Sequence, residues 1–188
     1  LLTAAPGGNL SVEAMSKAWE IRRRAPDPDR VTRSLEIVEK TQEDVGHANW
    51  VFAKEIILLN ALMAKSPAAK VEVQAIRIGP AIFLTSPAEL FVELGLEIKK
   101  RSRFPFTWPV ELANGCVGYV PTEAAFGPEG GGYETRLTCY SNLDQSAGRQ
   151  MVDAAVELAS RLKPDAVPEP QRAAPAHATW SYGSVPPE

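Results

Sequence analysis

The sequence predicts an α/β fold, a mixed sheet flanked by helices, and three observations carry that prediction. Two β-branched runs, 71–78 and 81–86, flank Gly79-Pro80, a turn signal short enough to make a hairpin. The segment 146–163 places Met151, Ala155, Leu158 and Leu162 on one helical face with charges opposite. Helical patterns lie both before and within the strand run, which is the arrangement of a layered core.

In chain order, Leu1 to Asn9 reads as a loose lead-in. Ser11 can cap a helix carrying Met15, Trp19 and Ile21 near one face. Arg22, Arg23 and Arg24 would occupy its solvated last turn, where cations suit the dipole, and Pro26 and Pro28 would end it. The stretch 29–40 fits helical spacing through Val31, Leu35 and Val38, although Leu35-Glu36-Ile37 also alternates; helix is the favoured reading. The stretch 44–65 predicts a helix with Trp50, Phe52, Ile56, Leu59 and Met63 apolar and Pro67 as terminator. Its middle is apolar all round, so both faces should be buried.

After the hairpin, Pro87 is expected to open a helix running to Arg101, with Glu89 in its first turn. A strand over 108–113 leads into the Asn114-Gly115 turn, where Asn114 serves as a turn former. Tyr119 follows in a Gly- and Pro-rich segment, 127–132 reads as a flexible loop, and 138–141 as a short strand. From Pro164 the chain becomes rich in Pro and Ala without periodicity, so residues 164–188 read as a linker or disordered tail and residues 1–163 as the folded part.

Composition excludes several classes of function. With 188 residues the chain can bury one sizeable core. A net charge of −3 gives no clustered basic excess for nucleic acid. No apolar stretch approaches the eighteen or so residues of a membrane span. Cys116 and Cys139 allow one disulfide at most. Ser86 lacks a G-x-S-x-G context, and no glycine loop has the spacing of a nucleotide cradle. The only histidines are His47, at an expected helix start, and His177 in the tail. Cys116 has no histidine near it in sequence and reads as a small buried residue.

The informative residues lie between Lys70 and Glu134. In order they are "PAELFVELG", "LANGCVGYVPT" and "GGYE". These three motifs resemble the C-terminal part of the catalytic domain of neutral/alkaline, non-lysosomal ceramidases and their bacterial relatives. The likeness covers roughly residues 70–162. It implies the later part of a larger zinc-hydrolase catalytic domain, one that cleaves the N-acyl amide bond of ceramide. It implies Glu89 and Tyr119 as zinc ligands and Tyr133 as the group that polarises the amide carbonyl and stabilises the oxyanion. Two further zinc ligands would be histidines from a T-H-x-H-S-type motif and a later segment, neither of which this chain contains. The chain would then be a fragment awaiting the N-terminal half of its domain, binding zinc weakly and hydrolysing nothing alone. The resemblance also implies a lipid amide substrate met at a membrane surface, and a secreted or periplasmic setting.

The sequence departs from the family at Leu90-Phe91-Val92-Glu93-Leu94-Gly95, where an Arg pair is usual, and at Cys116, where an aromatic is usual. On the residues themselves, a zinc ion with an open position lowers its water's pKa to about 7, and a carboxylate such as Glu89 is a natural ligand. A phenol needs the cation's field to become a good donor. The plainer readings are a helix first-turn carboxylate for Glu89 and a half-buried, hydrogen-bonded aromatic for Tyr119. For Tyr133 the plainer reading is a loop aromatic on the sheet, and for Glu134 a solvated side chain. Two alternatives from outside this reading remain: a non-catalytic α/β scaffold that has lost the metal, and a zinc hydrolase acting on another amide or ester.

Overall fold

The computed structural model describes residues 11–169. Its elements are β1 (Val12–Arg22), α1 (Pro28–Val38), α2 (Gln42–Val45), α3 (His47–Lys65), β2 (Ala68–Ile78), β3 (Ala81–Thr85), β4 (Glu89–Leu90), α4 (Val92–Arg101), β5 (Phe106–Val110), β6 (Tyr119–Val120) and α5 (Ala147–Arg161), with short 3-10 turns at Ala124–Phe126 and Tyr133–Thr135. The fold is mixed α/β. A four-stranded sheet has the order β1-β2-β3-β5, antiparallel except for the parallel β3–β5 pair, and β4 pairs with β6 in a separate two-stranded ladder.

The sheet is organised by β2, which buries every second residue: Ala69, Val71, Val73, Ala75 and Arg77. That period of two is the pleat of a strand with one face on a core. Ile82 and Leu84 of β3 join the same core, and α5 covers it with Met151, Val152, Ala155 and Leu158. Each such large side chain contributes about 1.5–3 kcal/mol by leaving water. On the other face Phe83 stacks on Trp108 at 5.1 Å, and Trp108 on Phe106 at 6.1 Å. Trp108 and Phe106 remain exposed.

The first predicted helix is instead β1, paired along its whole length with β2 from Val12↔Ile78 to Arg22↔Ala68. Ala, Glu, Met and Lys in this segment favour a helix locally, but an eleven-residue partner strand overrides propensity. Met15, Trp19 and Ile21 satisfy period two as well as helical spacing, and they pack on the α5 side. The arginine triplet is therefore not a solvated helix end. Arg23 donates to Asn142 Oδ1 at 2.6 Å and to Ser66 O at 3.2 Å. Arg24 donates to Leu143 O at 2.9 Å and Ser141 O at 3.1 Å, sewing the end of β1 to the loop before α5.

The helices over 29–40, 44–65 and 146–163 form close to where periodicity puts them. Asp27 caps α1 by accepting from Asp29 N at 2.8 Å. The expected 44–65 helix is two pieces, α2 and α3, divided at Gly46, whose φ of 83° no helix accommodates. His47 opens α3 and bonds Gln42 through Nδ1 at 2.8 Å, an exposed structural contact. In α3, Ala53, Ile56 and Leu59 are buried, but Leu58 is 54% exposed, so burial is one-sided. The expected strand over 138–141 is a turn in which Thr138 Oγ1 accepts from the N–H groups of Tyr140 and Ser141.

Residues 164–169 carry no regular structure. Within them Asp165 is tied down by Ser11 Oγ at 2.6 Å and by Arg77, a buried cation that it shares with Glu13. The lead-in before Ser11 and residues 170–188, with His177, lie outside the described residues.

Candidate functional site

Pro87 does not open a helix. Across 86–91 the backbone is extended and hydrogen-bonded sideways, so its donors are not free for helical bonds. Ser86 N donates to Val110 O at 2.9 Å, Glu89 N to Gly118 O at 3.0 Å and Phe91 N to Val120 O at 3.2 Å. Ala113 N and Val117 N return to Ser86 O and Pro87 O at 3.0 and 2.7 Å. The helix begins only at Val92, with Glu93 in its first turn and Lys99, Lys100 and Arg101 in its last, matching the dipole at both ends.

This ladder places the carboxylate. β4 and β6 run parallel with Glu89 in register with Tyr119. Two glycine-containing turns make the approach feasible. Asn114 and Gly115 take φ of 61° and 148°, which turns the chain back toward Pro87. Gly118, at φ 84°, lies so close to the next segment that a Cβ would fall 1.6 Å from Tyr140 O.

Tyr140 is thereby brought over Glu89, and its hydroxyl donates to Glu89 Oε1 at 2.7 Å. Cys116 Sγ lies 3.2 Å from the same hydroxyl. Since Tyr140 has one proton and Glu89 takes it, the Cys116 thiol is the donor on that side. Cys116 is exposed rather than buried, which corrects the packing role expected for it, and neither cysteine is in a disulfide. Tyr119 and Tyr133 hydroxyls are 3.0 Å apart, and the Tyr119 ring meets those of Tyr133 and Tyr140 edge-on, each at 5.4 Å. The structure thus gathers Glu89, Tyr119 and Tyr133 at one place.

The surroundings are acidic. Glu89, Glu93, Glu111 and Glu134 line an open cleft of about 390 Å³ together with Tyr119. The Tyr119 phenol is pushed up to about 12, first by its hydrogen bond to Tyr133, then by desolvation and by Glu89 and Glu134. Tyr140 is raised further, held protonated by its contacts to Cys116 and Glu89. The Glu111 carboxyl is raised by burial, with Glu89 adding to the effect. In each case a hydrogen bond or burial acts first, and the neighbouring carboxylate Glu89 adds to it. A carboxylate and a phenol in register, inside an acidic cleft, fit part of a hard-cation site. Among the described residues no three His, Cys, Asp or Glu side chains converge as a metal-binding group.

Sequence reasoning missed Tyr140. The signal available was its place within seven residues of Tyr133, but only the fold shows that it reaches Glu89.

No protein-family profile matches the chain, and no curated protein matches it. A solved structure described as "Ceramidase complexed with C2" is similar over 57% of this chain at 23% identity, with a TM-score of 0.38. The chain spans 18% of that protein's length. An overlap this slight does not carry an activity across.

Proposed function

We propose that this cleft is one half of the active site of a zinc-dependent amidohydrolase of the neutral ceramidase kind, acting on ceramide or a similar lipid amide. The observation that carries the reading is the parallel register of Glu89 with Tyr119, which sets a carboxylate beside a phenol in an acidic cleft. The order of the three sequence motifs supports it independently.

Glu89 and Tyr119 would hold the zinc together with two histidines from outside this chain. When bound, the metal supplies an acidified water and a polarised carbonyl. Tyr119 must give up its phenolic proton to ligate, so metal uptake is accompanied by proton release. Tyr140 holds Glu89 by its hydrogen bond and limits the carboxylate's rotation. Tyr133, 59% exposed and bonded through its hydroxyl to Tyr119, would turn that hydroxyl to the oxygen on which charge develops.

The test is made on the full-length protein, with ceramide and short N-acyl amides as substrates. Glu89→Ala and Tyr119→Phe should abolish hydrolysis, and Tyr133→Phe should lower kcat about 10²–10³-fold. Full activity in Glu89→Ala would overturn the proposal. Cleavage of short amides alone would favour a zinc hydrolase of different substrate. No hydrolysis, with no T-H-x-H-S-type motif upstream, would favour the non-catalytic scaffold.

A further inference from the structure

A second opening, between α1 and α3, has the opposite electrical character. Arg30 and Arg33 of α1 and Arg136 of the turn after Tyr133 line one cleft of about 190 Å³ with Ser34, Asn49 and Phe52. No acidic side chain lines it. Among the described residues none of the three guanidiniums has an ion-pair partner.

Three like charges facing one small opening repel one another, and the repulsion is felt. Arg30 is lowered from its ordinary value by burial and then by Arg136 and Arg33. Arg136 is an exposed residue, and its guanidinium is seated on the Phe52 ring at 3.6 Å. That contact orients the fork without neutralising it. Its backbone is fixed as well, since Arg136 N donates to Tyr133 O at 3.2 Å.

We propose that this cleft binds a small tetrahedral oxyanion of the phosphate or sulfate class, either free or as a lipid headgroup. Planar guanidinium forks match such oxygens in pairs, and three of them supply both charge and direction. The cleft, about 190 Å³, has room for one such oxyanion. Because Arg136 belongs to the turn that carries Tyr133, an occupant would brace that turn from behind. The proposal stands on different residues from the amidase reading and survives its failure.

The experiment titrates the purified chain with inorganic phosphate and with sulfate, against chloride at matched ionic strength, following the melting temperature and the heat of binding. A saturable response to the oxyanions is expected. It should weaken about tenfold in Arg33→Gln and in Arg136→Gln. It should persist in Arg149→Gln, whose arginine pairs with Glu123 in another cleft. Without oxyanion, Arg33→Gln should melt no lower than the parent, because a repulsion has been removed. Vesicles of phosphatidylcholine with and without phosphatidic acid then separate the sources. Capture by the phosphatidic acid vesicles, lost in Arg33→Gln, supports a headgroup, whereas a response to the free ions alone supports a soluble anion. Equal behaviour in phosphate and chloride, or unchanged binding in both variants, overturns the proposal.

Discussion

The layer formed by β1, β2, β3 and α5 and the loops that carry the tyrosines are built on different physics. In the first, burial of Val73, Ala75, Ile82 and Leu158 is nearly complete, and positions are fixed by apolar packing. In the second, Tyr133 and Tyr140 are 59% and 43% exposed, and positions are fixed by hydrogen bonds and two positive-φ turns. The comparison teaches that stability and chemistry are largely separable here. A substitution should disturb one with limited effect on the other.

The largest effect is expected in the core. Leu158→Ala, at a residue 1% exposed, should cost about 3 kcal/mol in denaturant unfolding. Where the variant remains folded, the Tyr119 titration should be unchanged. A cost under about 1 kcal/mol would mean that α5 is not a principal cover of the sheet.

Gly118→Ala probes the seam between the two regions. The strained φ and the clash with the Tyr140 backbone should cost about 2 kcal/mol and separate Tyr140 from Glu89. Both are visible together as a lower unfolding midpoint and a Tyr140 that ionises more easily. Loss of stability with Tyr140 unaltered would place the seam elsewhere.

The next effect is electrostatic and leaves the core untouched. The Tyr119 phenol is pushed from its ordinary value of 10.0 up to about 12, first by its hydrogen bond to Tyr133. The folded state therefore keeps the proton more tightly. Its contribution to stability is complete below pH 10 and is lost as pH rises through about 12. In Tyr133→Phe the largest cause of the shift is removed, so the phenolate absorbance should develop at lower pH.

The smallest effect separates the thiols. Cys139 is pushed up to about 11 by burial and by Glu55, whose Oε2 accepts from Sγ at 2.7 Å, while Cys116 is exposed. Timed alkylation read by peptide mass should therefore modify Cys116 first, and Glu55→Gln should speed Cys139. Equal rates in the parent chain would contradict the Glu55 contact.

What the sequence disclosed follows the same division. The hairpin over 71–86 and the helix over 146–163 were legible because burial imposes a period on the residues themselves. β1 was not, because Met15, Trp19 and Ile21 satisfy two periods and the choice is made by β2, far along the chain. Glu89 and Tyr119 were legible as a pair through motif order. Their arrangement was not, since Pro87 suggests a helix until the lateral bonds to Val110 and Gly118 are seen. Tyr140 gave no sign beyond its nearness to Tyr133, because hydrogen bonds between loops leave no periodic trace.

The short β4–β6 ladder has one further consequence. Adjacent strands sit about 4.8 Å apart whatever side chains they carry. The separation of positions 89 and 119 is thus a property of the main chain, like two teeth cut on one comb. Histidine or cysteine installed at either tooth would inherit the same spacing, which makes this pair a natural starting point for building in new ligand pairs without rebuilding the scaffold.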